Sequence, residues 1–303
     1  MNKEIKVNSV YAWFLAARPK TLTGAVIPVL IGSALALLDN RFSWIPSVIC
    51  FLFAGLMQIA ANFINDLYDY LKGSDREDRL GPRRACAQGW ITPYMMKVGI
   101  VVCLTFAGLI GSLLIFYGGW NLIWIGAACM IFAFLYTTTL SYYGFGDLMV
   151  IAFFGFAAVG GTYYVQALQW TVNTTILSLC SGLVIETLLV INNYRDRDGD
   201  KVSKKKTLVV RFGELFGRYL YLCSGLLAVL LLLVTMLFQR YYFTALLPLL
   251  YLFPHVQVWL QMVEIRSGKK LNSILGKTSR NMLLYGLLVM VGLVADHIAI
   301  VHL

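Results

Sequence analysis

The sequence predicts an all-α integral membrane protein, a bundle of nine transmembrane helices, and three observations carry that expectation. First, hydrophobic residues make up 59% of the 303 positions and charged residues 13%, with a mean hydropathy of +0.73. A soluble globular chain carries about 25% charged residues, so there is too little charge here to clothe a water-exposed surface. That excludes a soluble enzyme, a disordered chain and a nucleic-acid-binding module. Second, apolar stretches of the length that crosses a bilayer recur at 21–38, 44–71, 94–117, 120–140, 146–170, 174–194, 216–238, 241–263 and 281–301. Third, the 25 Lys and Arg sort by loop. With nine spans, 23 fall on one side and two, Arg41 and Arg240, on the other. The positive-inside rule then places the N-terminus in the cytoplasm and the C-terminus outside. The net charge of +10 reads as cationic loops rather than a nucleic-acid surface.

Taken along the chain, residues 1–17 form an interfacial N-terminal segment, in which Tyr11, Trp13 and Phe14 anchor a short helix at the membrane surface. The first apolar run continues as a full span, so no cleavable signal peptide is expected. From Val98 to Tyr194 there is no Lys or Arg, and the acids are Asp147 and Glu186 alone. Strand-period alternation is absent, which argues against a transmembrane barrel. The six Cys (50, 86, 103, 129, 180 and 223) show no CxxC or CxxH spacing, so neither a disulfide frame nor a zinc site is expected. The whole of 1–303 reads as one transmembrane domain, with polar cytoplasmic loops at 72–93 and 195–215.

Charge in or beside a membrane helix is costly and marks function by default. Asn62, Asn65, Asp66 and Asp69 are spaced i, i+3, i+4, i+7 and share one face near the end of the second span. Asn192, Asn193, Asp196 and Asp200 share a face at the end of the sixth; Asp198 points elsewhere if that helix continues past Gly199. Asn65-Asp66-x-x-Asp69 matches Asn192-Asn193-x-x-Asp196 at an offset of 127 residues, four spans later. Each leads into a basic loop, Gly81-Pro82-Arg83-Arg84 or Lys204-Lys205-Lys206. This is a weak internal duplication of a four-helix unit, and it would set the two acidic faces opposite each other.

Facing carboxylates require cations between them. Hard divalent ions prefer carboxylate oxygen, and Mg²⁺ takes one or two carboxylates together with substrate phosphate. Loop Lys and Arg hold phosphate oxygens. The constellation suggests a Mg²⁺–diphosphate site at the mouth of an apolar cavity, with an apolar tail among the helices. A cation-coupled transporter stands as the alternative of another class, since it also uses intramembrane carboxylates. Transporter sites favour the midplane, whereas these acids lie at one face beside long loops.

These residues resemble the UbiA superfamily of intramembrane prenyltransferases, and within it the 1,4-dihydroxy-2-naphthoate polyprenyltransferases of menaquinone biosynthesis. The carrying segments are Ala17-Arg18-Pro19-Lys20-Thr21-Leu22, Asn65 through Asp75, Asp78 through Arg84, Asn192 through Asp196, and Lys205 through Gly213. The resemblance implies a bacterial cytoplasmic-membrane enzyme with its active site facing the cytoplasm. Its substrates would be a polyprenyl diphosphate and 1,4-dihydroxy-2-naphthoate, its cofactor Mg²⁺. It implies that Asp66, Asp69, Asp196 and Asp200 bind Mg²⁺, assisted by Asn65, Asn62 and Asn193, with Asp75 beside them. It makes Lys72, Arg83, Lys201 and Lys206 candidates for the diphosphate, and Arg18 and Lys20 candidates for the diphosphate or the acceptor carboxylate. Neutralising the leaving diphosphate ionises the allylic C–O bond. The allyl cation then needs a dry cavity and aromatic faces, for which Tyr136, Tyr142 and Tyr143 are candidates. Attack by the naphthoate ring with loss of CO₂ would give demethylmenaquinone.

The chain departs from the branch at 136–147, which reads Tyr-Thr-Thr-Thr-Leu-Ser-Tyr-Tyr-Gly-Phe-Gly-Asp where a Gly-Gly-Pro stretch and a later Glu are usual. That leaves another aromatic acceptor within the superfamily open. Asp147 stands either for that Glu or as a helix N-terminal acid. Glu186, mid-span, and His255, His297 and His302 receive no role.

Overall fold

The computed structural model describes residues 5–73 and 80–302, the side chain of Lys20 excepted, and every regular element among them is helical. The order is α1 (Val10–Ala17), α2 (Thr23–Leu38), α3 (Trp44–Leu71), α4 (Pro93–Gly118), α5 (Leu122–Thr138), α6 (Gly146–Ala167), α7 (Val172–Val202), α8 (Leu208–Phe212), α9 (Glu214–Phe238), α10 (Tyr242–Ile265) and α11 (Leu271–Val301). Seven of them, α3, α4, α6, α7, α9, α10 and α11, are long and apolar enough to cross a membrane. The other two expected spans form as shorter apolar helices, α2 with 16 residues and α5 with 17. Each is shortened at its loop end. A 3₁₀ turn at Pro19–Thr21 precedes α2, and Thr137-Thr138-Thr139 runs α5 into a 3₁₀ turn over Leu140–Tyr143.

Two helices run further than hydropathy suggests. α11 begins at Leu271, because Asn272, Ser273, Lys277 and Arg280 are polar and still helical. α7 continues through the acids to a cap at Ser203, so residues 195–202 are helix rather than loop, and the loop proper is 203–207. Gly199 costs such a helix about 1 kcal/mol, which the packing of the buried Tyr194, Arg195 and Arg197 outweighs.

Inside a bilayer, helices gain nothing from leaving water, so close packing and internal hydrogen bonds hold them together. α7 is the central post: 72% of its apolar window is buried, against 17% for α4 on the rim. α6 includes a π-helical stretch at Ile151–Gly160 that lies directly on α7. A Cβ at Gly182 would stand 2.9 Å from Ile151 Cα, so this approach needs glycine there. Asp296 on α11 accepts from the backbone N–H groups of Phe243 (3.0 Å) and Thr244 (2.8 Å) and from the Thr244 hydroxyl (2.6 Å), fixing the start of α10. Phe116, Trp120, Trp124, Phe238 and Phe253 stand exposed on the outer face, as suits a surface meeting hydrocarbon.

α1 lies across the loop end of α3. Ser9 caps it, accepting from Ala12 N–H (3.3 Å), and Trp13 packs edge-on against Phe63 at 5.2 Å. Its buried Ala12 and Ala16 face α3, while Val10, Tyr11 and Phe14 are exposed, which is the amphipathic pattern expected of an interfacial segment.

Candidate active site

The acidic end of α3 divides its polar face between two tasks. Asn62 is buried, and its amide donates to Ala17 O and Thr21 Oγ1, both at 2.9 Å. It anchors the turn between α1 and α2. Asp66, 1% exposed, accepts from the backbone N–H groups of Ala85 (2.9 Å) and Cys86 (2.8 Å), with an Arg18 guanidinium nitrogen 3.6 Å away. It captures the loop that follows α3. Asn65 and Asp69 are less covered. Thr137 on α5 donates to Asn65 Oδ1, and Arg84 pairs with Asp69 Oδ2 at 2.5 Å while also donating to Asn65 O.

The acidic end of α7 is held from within its own helix. Arg195 forms a two-pronged bond to Asp196, 2.7 and 2.6 Å, and its third contact is Asn272 Oδ1 on α11 at 2.9 Å. Asn272 in turn donates to Leu80 O (2.7 Å), behind the first cluster's loop. One amide therefore ties the two loop systems together. Arg197 bonds Tyr194 O (2.7 Å) and pairs with Glu214 (3.4 Å), and Arg218 pairs with the same carboxylate. That network seats α9 on α7 and leaves the acids free of it. Asn193 is buried, Asp200 half-buried, and Asp198 and Lys201 are exposed.

The turn at 139–145 forms the third wall. Its backbone is bonded to the loop after α7, Lys206 N–H to Tyr142 O at 2.8 Å, and to α8, the Arg211 guanidinium to Tyr143 O at 2.6 Å. Gly144 has φ +85, and a Cβ there would lie 2.7 Å from Lys206 O, so glycine is required on both counts. Lys72, just past the end of α3, reaches across. Its ammonium donates to Thr138 O at the end of α5 (2.6 Å) and lies 3.9 Å from the centre of the Tyr142 ring. The Lys205 ammonium is 5.9 Å from the same ring. Loss of water around the Lys72 ammonium holds it below the usual lysine value; Asp69 opposes this and Lys205 adds to it.

Below these loops lies an apolar cavity of about 650 Å³, lined by α2 through α6. Asn65, Gln58 and Tyr136 mark its polar end, and Leu114, Leu122 and Val165 its far end. The Tyr136 hydroxyl stands against the start of α6, 3.8 Å from where a Cβ on Gly146 would lie. Asp147 is buried at the start of α6, and its Oδ1 finds no hydrogen-bond partner among the described residues. Glu186 is buried on α7 and accepts from Ser224 on α9 (3.3 Å), the neighbouring-helix partner that its mid-span place calls for.

Among the described residues no three His, Cys, Asp or Glu side chains approach closely enough to cage a metal. The donors nonetheless suit Mg²⁺. Asp69, Asp196 and Asp200 are hard oxygen ligands at two helix ends, and Mg²⁺ completes its shell with water and phosphate rather than an all-protein cage. Of the other expected residues, Arg83 and Lys206 are exposed, the side chain of Lys20 is outside the described set, and Asp75 lies outside the described residues. Sequence reasoning passed over Arg84, Arg195, Lys205 and Asn272. Arg195 adjoins Asp196, Arg84 adjoins Arg83 and Lys205 adjoins Lys206, so adjacency was the available signal; for Asn272 there was none.

Residues 25–294 match the UbiA prenyltransferase family. The chain is 34% identical to the 1,4-dihydroxy-2-naphthoate octaprenyltransferase of Escherichia coli (strain K12) over 73% of this chain and 74% of that one. It is 36% identical to the enzyme of the same name from Haemophilus influenzae over 72% and 73%. Among solved structures, a UbiA homolog from Aeropyrum pernix K1 superposes with a TM-score of 0.67 at 14% identity, covering 90% of this chain and 97% of that one. A homolog from Archaeoglobus fulgidus bound to DMAPP and Mg²⁺ gives 0.64 at 15%, covering 92% and 99%. At those identities the structural likeness speaks for the fold.

Proposed function

This chain belongs to the UbiA prenyltransferase family, and from that premise we propose that it transfers a polyprenyl group from polyprenyl diphosphate to 1,4-dihydroxy-2-naphthoate with loss of CO₂. The observation that carries this reading is that the loops after the two acidic helix ends are tied together, through Asn272 and at the Tyr142 ring, beside an apolar cavity lined by Asn65 and Tyr136. The printed names of the 34–36% identical relatives support the acceptor, and the DMAPP and Mg²⁺ in the archaeal homolog support the metal. The preponderance of Lys and Arg at the acidic end supports a cytoplasmic site in a bacterial membrane.

In this reading Asp69 and Asp196, with Asn65, Asn193 and Asp200 beside them, hold Mg²⁺ against the diphosphate. The ion supplies positive charge to the leaving group as the allylic C–O bond breaks. Arg84 and Arg195, now paired with Asp69 and Asp196, would be the guanidiniums free to meet diphosphate oxygens once those acids hold the ion, and their planar two-pronged donors match such oxygens. Asp66 chiefly keeps the 84–86 loop in place, each of its oxygens accepting one backbone N–H, and in this reading the outer acids carry most of the metal binding. The apolar cavity holds the tail and keeps water from the allyl cation. Tyr136 presents its ring at the head of that cavity, where a cation is favoured. Asp147, buried with an unengaged oxygen, accepts a hydroxyl of the aromatic acceptor.

The test is direct. Protein in detergent or liposomes is incubated with Mg²⁺, an allylic polyprenyl diphosphate and a panel of aromatic acceptors, and products are read by mass. A prenylated naphthoate product lacking the carboxyl, abolished by a chelator, is expected. Product with another acceptor alone would discard the naphthoate assignment and keep the prenyl-transfer chemistry.

A further inference from the structure

We infer that Tyr142 is a positioning residue whose ring gathers Lys72 and Lys205, one from each loop system, into a single cationic receptor for the diphosphate. The inference rests on the reading above and deepens it. Three observations carry it. The two ammoniums lie 3.9 and 5.9 Å from the centre of one ring. Lys72 is fixed at the other end of its reach by Thr138 O, at 2.6 Å, a carbonyl at the negative end of α5 that favours a cation. The backbone that carries the ring is fixed from behind: Lys206 N–H donates to the Tyr142 carbonyl, and Gly144 leaves room for Lys206 O beside the turn.

Two ammoniums held at one ring repel each other. The aromatic face and Asp69 on the Lys72 side offset that only partly, and an oxyanion between the ammoniums would relieve it. Asp69, in the last turn of α3 and three residues before Lys72, places the pair beside the acid proposed for the metal. A diphosphate bridging there would meet Mg²⁺ on one side and the lysine pair on the other. The three connections would then close on the substrate head together: the end of α3, the 139–145 turn and the loop after α7. A ring so engaged serves the diphosphate rather than the allyl cation, which leaves the cation to Tyr136. It also selects Lys205 over Lys206, whose contribution is its backbone N–H.

Substitution at the ring separates this role from a merely structural one. Tyr142→Leu removes the π-face and keeps bulk; Tyr142→Phe keeps the face and removes the hydroxyl. Each variant is measured in two ways: steady-state prenyl transfer, and binding of inorganic diphosphate with Mg²⁺ in the absence of acceptor. For Tyr142→Leu the expected result is a KM for polyprenyl diphosphate raised about tenfold with kcat little changed, and a matching loss of diphosphate affinity. Tyr142→Phe is expected to bring both back to within about twofold. Lys205→Met is expected to match Tyr142→Leu, and the double variant to be little worse than either, because the two act as a unit. Equal behaviour of the Leu and Phe variants would overturn the inference, as would a fall in kcat alone with diphosphate binding intact. If the unsubstituted protein binds Mg²⁺–diphosphate but prenylates no aromatic acceptor, the proposed function fails, and the lysine pair is still judged by the binding series.

Discussion

Asp66 on α3 and Asn193 on α7 occupy the same place in the two acidic stretches, 127 residues apart, and the surroundings differ. Beyond Asp66 the chain folds back over the helix end, and the carboxylate holds Ala85 N–H and Cys86 N–H. Beyond Asn193, also buried, the helix runs on to Val202. One turn further out the two ends agree. Asp69 pairs with Arg84 and Asp196 with Arg195, each a carboxylate near the surface neutralised by a guanidinium. The comparison teaches that only the outer positions are equivalent in chemistry. On the proposed reading the inner acid of α3 serves the fold first, through its two backbone hydrogen bonds, and the outer acids carry the metal.

The largest effect is expected at the outer pair. Asp69→Asn or Asp196→Asn should each lower prenyl transfer by about a thousandfold, the scale of losing a group that stabilises charge in the transition state. The Asp196 carboxylate is 29% exposed, so stability there should fall by less than about 1 kcal/mol, read as the melting temperature in detergent. Asp66→Asn should show the reverse pattern. It weakens two buried charge-assisted hydrogen bonds, at a stability cost of about 2–4 kcal/mol, and the Mg²⁺ concentration for half-maximal activity should hold steady in the fraction that remains folded. A shifted Mg²⁺ requirement would make Asp66 equivalent to Asp69 after all.

Gly144→Ala sharpens the comparison from the α7 side, where the loop is held by the 139–145 turn instead of by a carboxylate. With φ +85 and a backbone oxygen 2.7 Å from the new Cβ, the strain amounts to about 1–3 kcal/mol, and diphosphate binding should weaken with it. The smallest effect belongs to Asp198→Asn. This residue is exposed and points away from the cluster, so activity should stay within about twofold of the parent protein; a loss comparable to that of Asp196→Asn would extend the site around the helix.

Much of this architecture was legible in the order of residues. Long apolar stretches and the loop partition of Lys and Arg locate the membrane helices, because hydrocarbon tolerates so few alternatives. Seven reach spanning length, and the two shorter ones run Thr23–Leu38 and Leu122–Thr138 where 21–38 and 120–140 are expected, each with a 3₁₀ turn at its loop end. Helical spacing put Asn62, Asn65, Asp66 and Asp69 on one face, but spacing does not say what covers that face. The covering loop, the Arg195 clasp on Asp196 and the Asn272 bridge all depend on contacts between segments far apart in sequence. The same holds for the Lys205 ammonium, which differs from its neighbour Lys206 solely in the direction the loop gives it.

The measurement closest to the central claim, that the two outer acids share one Mg²⁺–diphosphate, is a double-mutant cycle on inorganic diphosphate binding. Affinity is titrated at fixed Mg²⁺ for the parent protein, Asp69→Asn, Asp196→Asn and the double variant. The account predicts a large loss in each single variant and little further loss in the double, with a coupling of about 1–3 kcal/mol. Losses that simply add would mean that the two helix ends bind independently, and the shared site would have to be abandoned.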